Sequence, residues 1–138
     1  MSYTISQAAR VTDCPAVTIR YYERVGILPE PRRGANGYRR YEEDDIQRLE
    51  FVVRARALGF SLADVTDLLE LADHPHRPCD AVDRKVGEQL AAVRRRIERL
   101  SELATRLQRL QAACDGDHEI DQCGILAALA SGWERKPQ

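Results

Sequence analysis

Residues 79–123 read CDAVDRKVGEQLAAVRRRIERLSELATRLQRLQAACDGDHEIDQC. Cys79 opens the stretch, directly after the Pro-rich break His74-Pro75-His76-Arg77-Pro78. No proline occurs from Asp80 to Cys123. Apolar or small residues recur at Val86, Leu90, Val93, Ile97, Leu100, Ala104, Leu107 and Cys114, at intervals of three and four. That is the a/d seam of a coiled coil, interrupted only by Gln111 in its last turn. Arg94, Arg95, Arg99, Glu102, Arg106 and Arg109 fall on the other face, which the pattern leaves in water. The stretch closes on Cys114 and Cys123, on either side of an acidic loop, Asp115-Gly116-Asp117-His118-Glu119.

The spacing of the cysteines constrains the assembly. Cys79 and Cys114 are 35 positions apart, and an α-helix rises 1.5 Å per residue, which puts them roughly 50 Å apart in one chain. They cannot share a metal ion within one subunit. In an antiparallel pair of these helices, the start of one meets the end of the other. Cys79 of one chain then reaches Cys114 and Cys123 of its partner. The expectation is a homodimer with two equivalent three-thiolate sites, each built across the interface.

At 138 residues the chain holds one small domain plus an extended element. Its 21 basic and 22 acidic residues leave a net charge of −1, so overall charge announces no nucleic-acid partner. The local balance is different. Residues 10–40 carry Arg10, Arg20, Arg24, Arg32, Arg33, Arg39 and Arg40 against Asp13, Glu23 and Glu30, a surplus of +4. Such a face suits a phosphate backbone, although charge alone fits a solvated arginine-rich surface equally well. No signal peptide or apolar run of membrane length is present, and the expected location is the cytoplasm. Four cysteines among so many helix formers suit a reducing cytosol, where thiols bind metal or do redox work.

From the N-terminus, Ser6 reads as a helix cap, and Ala8, Ala9 and Val11 as the small apolar face of a first helix. Thr12-Asp13-Cys14 forms a turn. Pro15 opens a second helix with Val17, Ile19 and Tyr22 inward and Thr18, Arg20, Tyr21 and Arg24 outward, ended by Gly26. Two short helices joined by a tight turn read as helix-turn-helix. After Leu28-Pro29-Glu30-Pro31, the Asn36-Gly37 turn between arginines and tyrosines predicts a small hairpin wing, unstable unless packed on the helices. Glu42-Glu43-Asp44-Asp45 begins a third helix, where its dipole favours acid. That helix carries Ile46, Leu49, Phe51, Val52 and Val53 and stops at Gly59. Ser61-Leu62-Ala63-Asp64 caps a fourth helix with Leu62, Val65, Leu68, Leu69 and Leu71. The domain plan is 1–72 for DNA binding, 73–79 as linker, 80–113 as dimerisation helix, 114–130 as metal loop and short helix, and 131–138 as tail. Trp133 in that tail is undecided between docked and free.

These residues carry a resemblance. Ser6-Gln7-Ala8-Ala9, Thr18-Ile19-Arg20-Tyr21-Tyr22-Glu23, Gly26-Ile27-Leu28-Pro29, Gly37-Tyr38-Arg39 with Tyr41, and Arg54-Ala55-Arg56-Ala57-Leu58-Gly59-Phe60-Ser61-Leu62 together resemble the MerR family of transcription regulators over essentially the whole chain. The resemblance implies a mainly α protein: a winged helix-turn-helix dimer joined by an antiparallel coiled coil. It implies binding to double-stranded promoter DNA with or without the effector. The effector-bound form bends and untwists the DNA so that RNA polymerase engages both promoter elements. Carried over, Thr18, Arg20 and Tyr21 contact DNA from the second helix, and Arg33, Tyr38, Arg39 and Tyr41 from the wing.

Cys79, Cys114 and Cys123 resemble the subgroup that senses thiophilic divalent metals. Copper(I) sensors of this kind typically carry serine in place of Cys79. Soft thiolates suit Cd(II), Pb(II), Zn(II) and Hg(II). Zinc normally takes four ligands, and His118 and Asp115 are the candidates for a fourth. Zinc sensors often have a further cysteine where Asp115 stands. Cadmium, lead and zinc rank slightly ahead of mercury. Cys14 reads as a small buried hydrophobe, although a similar cysteine occurs in some lead and cadmium sensors. His74 and His76 read as surface residues. The competing reading is a thiol redox switch using Cys114 and Cys123. An iron–sulfur cluster wants more clustered cysteines than this loop has, and a drug-binding regulator wants a large C-terminal ligand domain. With no nucleophile–base pair and no phosphate loop, the reading is not an enzyme.

Overall fold

The computed structural model describes residues 2–114, 116–117 and 119–131. Asp115, His118 and Trp133 lie outside the described residues. The chain is mainly helical, in the order α1 (Ile5–Thr12), α2 (Ala16–Arg24), β1 (Arg32–Arg33), β2 (Arg39–Arg40), α3 (Glu43–Ala57), α4 (Leu62–Ala72), α5 (Asp80–Ala112) and α6 (Gly124–Ala130). A 3-10 turn over Ile120–Gln122 precedes α6.

The cap of α1 is Thr4, not Ser6. The Thr4 hydroxyl accepts from the Gln7 N–H at 3.2 Å, and the Gln7 side chain accepts from the Thr4 N–H at 2.8 Å. This reciprocal box needs an amide or acid three residues on. Ser6 has Ala9 there and cannot form it. Asp13, at φ 55°, ends α1 in the left-handed conformation, so the turn to α2 is tight. Pro15 caps α2 rather than starting it.

Ile19 and Tyr22 of α2 are buried as expected, but Val17 is 73% exposed. At about 100° per residue, Val17 points almost opposite to Ile19, two positions on. Val11, expected on the inner face of α1, is also exposed. Gly26, at φ +85°, turns the chain out of α2, and the Ile27 N–H returns to the Tyr22 carbonyl at 3.0 Å.

β1 and β2 pair antiparallel, Arg32 with Arg40 and Arg33 with Arg39. The expected wing is thus present. Its foot is wider than the sequence suggests, because Tyr3 and Tyr41 exchange backbone hydrogen bonds of 2.7 and 2.9 Å. The Asp45 carboxylate accepts from the Glu42 N–H at 2.8 Å at the start of α3, and Ser61 accepts from the Asp64 N–H at 3.1 Å at the start of α4. Ile19, Ile46, Leu49, Val52 and Val65 are the largest fully buried side chains, drawn from α2, α3 and α4.

One compact unit comprises Met1–Gln89 and the other Leu90–Gln138. The first extends beyond residue 72, because the opening turns of α5 are fastened to α3 and α4. Lys85 Nζ lies 3.2 Å from Asp64 and 3.0 Å from Asp67, and Gln89 donates to the Leu58 carbonyl at 3.0 Å. α5 itself is a continuous helix of 33 residues with no buried side chain. Among the described residues no helix is long and apolar enough to cross a membrane.

Candidate functional site

Two sets of side chains carry the chemistry. The first surrounds α2 and the wing. Arg20, Tyr21 and Arg24 are exposed on α2, and Thr18 is half-buried. Tyr21 and Arg24 hold one another, the guanidinium carbon lying 5.6 Å from the ring centroid. In the wing, Arg33 donates to the Gly37 carbonyl at 3.0 Å, and the Asn36 side chain accepts from the Tyr38 N–H at 3.1 Å. Gly37 takes φ +80°, which the tight turn requires and which side chains rarely adopt. Tyr38 stands 72% exposed at the tip.

Tyr41 differs from the sequence expectation. It is 4% exposed, and its hydroxyl donates to Glu23. Burial, reinforced by the Glu23 carboxylate, pushes its phenol well above the usual range. Tyr41 therefore holds the wing in place and does not itself line the outer surface. Arg39 is half-buried, with its Nε 3.3 Å from the other Glu23 oxygen. The organising role of Glu23 escaped sequence reasoning. The signal was the one acid of α2, 18 residues before a tyrosine.

The second set lies at the end of α5. Cys114 follows the helix, and its sulfur accepts the Gly116 N–H at 3.4 Å. Cys123 precedes α6. The N–H groups of Leu126 and Ile125 and the Cys114 thiol hold the Cys123 thiol below the usual thiol range, against an opposing effect of burial. Ala113 and Gly124 meet backbone to backbone, which brings their neighbours Cys114 and Cys123 together at the end of α5, with the Cys123 thiol turned toward donors that favour its thiolate. Gly124 makes this possible, because a Cβ at that position would overlap the Ala113 carbonyl. Such a pair suits a soft cation. Cys79 is exposed before α5. Among the described residues no three Cys, His, Asp or Glu side chains gather in a way that could hold a metal. Cys14 is buried, and its thiol is raised by that burial and by Asp13.

Residues 3–72 match the MerR HTH family regulatory proteins, and residues 46–110 match the family described as MerR, DNA binding. The chain belongs to the MerR family. It is 39% identical over 132 residues to the HTH-type transcriptional regulator ZntR of Escherichia coli (strain K12), covering 94% of each chain. It is 34% identical over 129 residues to the mercuric resistance operon regulatory protein of Bacillus cereus, covering 94% of this chain and 98% of that protein. Its fold is similar to that of the transcription regulator PbrR691 from Ralstonia metallidurans CH34, crystallised in complex with lead(II). That match has a TM-score of 0.81 and 37% identity, and covers 91% of this chain and 98% of the other. As a MerR-family protein the chain is a DNA-binding transcription regulator and not an enzyme. The resemblance seen in the sequence and the mainly α fold with its helix-turn-helix are both borne out.

Proposed function

We propose that this protein is a cytoplasmic, metal-responsive transcription regulator that binds promoter DNA as a homodimer. Metal binding drives a distortion of the DNA that lets RNA polymerase engage, and metal resistance or efflux genes are switched on. One observation carries the metal reading. The contact of Gly124 with the Ala113 carbonyl brings Cys114 and Cys123 to the same end of α5, and among the described residues no third ligand joins them. Two thiolates leave a divalent ion short of donors, and Cys79 of the partner protomer supplies the third. The apolar face of α5 supports the pairing. Its side chains run from 36% exposed at Val93 to 65% at Leu100. Leaving that face in water forgoes on the order of 5–10 kcal/mol.

The effector is a thiophilic divalent ion, with Cd(II), Pb(II) and Zn(II) slightly ahead of Hg(II). Lead in PbrR691 and mercury in the name of the Bacillus cereus relative support that class. Asp115 or His118 is the candidate for a fourth ligand. Thr18, Arg20, Tyr21, Arg33, Tyr38 and Arg39 are the candidate DNA contacts.

The nearness of these two cysteines also supports a second reading, a disulfide switch between Cys114 and Cys123. That reading requires a response to oxidant in the presence of chelator, with a mass loss of two protons per chain. The metal reading requires that Cys79→Ser, Cys114→Ser and Cys123→Ser each abolish induction while operator binding persists. A heterodimer of Cys79→Ser with Cys114→Ser places both defects in one cross-chain site and retains one intact site. Each homodimer retains none. A heterodimer that binds no metal would overturn the shared site.

A further inference from the structure

The outward face of α2 begins with an apolar side chain. Val17, Arg20, Tyr21 and Arg24 are spaced three, four and seven residues along the helix, and all are exposed. Tyr21 and Arg24 are engaged with each other, which leaves Val17 and Arg20 at the N-terminal end of the face. In helix-turn-helix proteins the N-terminal residues of the second helix reach base edges in the major groove, while hydrogen-bonding side chains elsewhere grip phosphates. Valine can bind neither a phosphate nor a hydrogen-bonding base edge. In the major groove its isopropyl group has one favourable partner, the C5-methyl of thymine. Pro15, at the cap, makes no side-chain cap hydrogen bond and itself has no N–H to offer a base.

We infer that Val17 is a sequence-reading residue that packs against one thymine methyl in each half-site. The inference rests on α2 being the recognition helix of a DNA-binding homodimer. It concerns discrimination between bases, whereas the basic side chains carry affinity for the backbone.

Duplexes enriched from a randomised pool by the wild-type protein supply the half-site. Each thymine is then replaced singly by deoxyuridine, which removes the methyl and keeps the pairing. One position per half-site should weaken wild-type binding about three- to fivefold, the effect of one methyl-sized contact. At that position Val17→Ser should bind the thymine and deoxyuridine duplexes equally, and Val17→Ile should still distinguish them. The substitutions lie on an exposed site, and helical content by circular dichroism checks that they fold. The inference is overturned if no thymine shows the loss, or if the loss persists undiminished in Val17→Ser. A wild-type protein that enriches no duplex overturns the DNA-binding reading and this inference with it.

Discussion

The Tyr41 hydroxyl donates to Glu23 Oε1 across 2.6 Å, and this bond fastens the wing to α2. Glu23 is a nearly buried carboxylate, with its side chain 7% exposed and its second oxygen taken by Arg39. Removing one partner leaves the charge only half satisfied. Tyr41→Phe should therefore lower unfolding free energy by about 1.5–3 kcal/mol in urea titrations. Because the folded state raises the Tyr41 phenol, its contribution is intact below the ordinary tyrosine range and fades as pH rises through the folded value. The wild type should lose stability at alkaline pH more steeply than Tyr41→Phe. Equal slopes would mean that the bond is not maintained in solution.

Gly124 fixes the approach of Cys123 to the end of α5. A Cβ at Gly124 would meet backbone at Ala113, which cannot swing aside as a side chain would. Gly124→Ala should separate the two sulfurs and weaken metal binding on the order of 10- to 100-fold, as loss of a supporting contact does elsewhere. Operator binding should survive. Competition titration against a chelator measures the first, and gel shift the second. Unchanged metal affinity would remove the loop from the site.

Lys85 bridges from α5 to Asp64 and Asp67 of α4. Asp64 is held below the usual carboxyl range by Lys85 and Ser61, and Lys85 is held above the usual amine range by Asp67 and Asp64. The Asp64 contribution is present above the unfolded carboxylate value and lost as pH falls through the folded one. The Lys85 contribution is present below the unfolded amine value and lost as pH rises through the folded one. The bridge is therefore flat through neutral pH and fails at both extremes. Lys85→Met should cost under about 1 kcal/mol, since both carboxylates remain open to solvent. It should flatten the acid limb of a thermal-melt series. An unaltered acid limb would show that other carboxylates dominate there.

Cys14 is a core residue by its surroundings. Cys14→Ala should leave the metal stoichiometry unchanged and lower stability by roughly 1 kcal/mol. In the native wild type it should be the slowest cysteine to react with iodoacetamide, because burial keeps it as the thiol. Loss of a bound metal equivalent in Cys14→Ala would place it at a site that its burial does not suggest.

The parts legible in the sequence are those whose signal repeats or is local. The seam recurs along α5, a helix of 33 residues, and Ser61 and Gly59 mark their helix ends by residue type. The helix-turn-helix and wing are readable from turn chemistry and spacing. The departures have one origin, which is that composition does not encode direction. Val17 is apolar and reads as inward by type, although its angle from Ile19 turns it out. Tyr41 groups by type with the other aromatic and basic wing residues, although its partner is an acid on another element. Thr4 and Ser6 are equally good caps by type, and only the residue three positions on separates them. The steric demand at Gly124 arises from contact with Ala113, which no local pattern encodes.

The hydrogen bond from Gln89 to the Leu58 carbonyl bears on how MerR relatives could exchange parts. Leu58 caps α3, and its oxygen is satisfied by a residue 31 positions later. A chimera spliced at residue 72 would hand that carbonyl, with Asp64 and Asp67, to a foreign helix. A junction placed after Gln89 keeps the donor sequence whole on both sides. Response modules should then be portable between promoters only when the first turns of the long helix travel with the reader head.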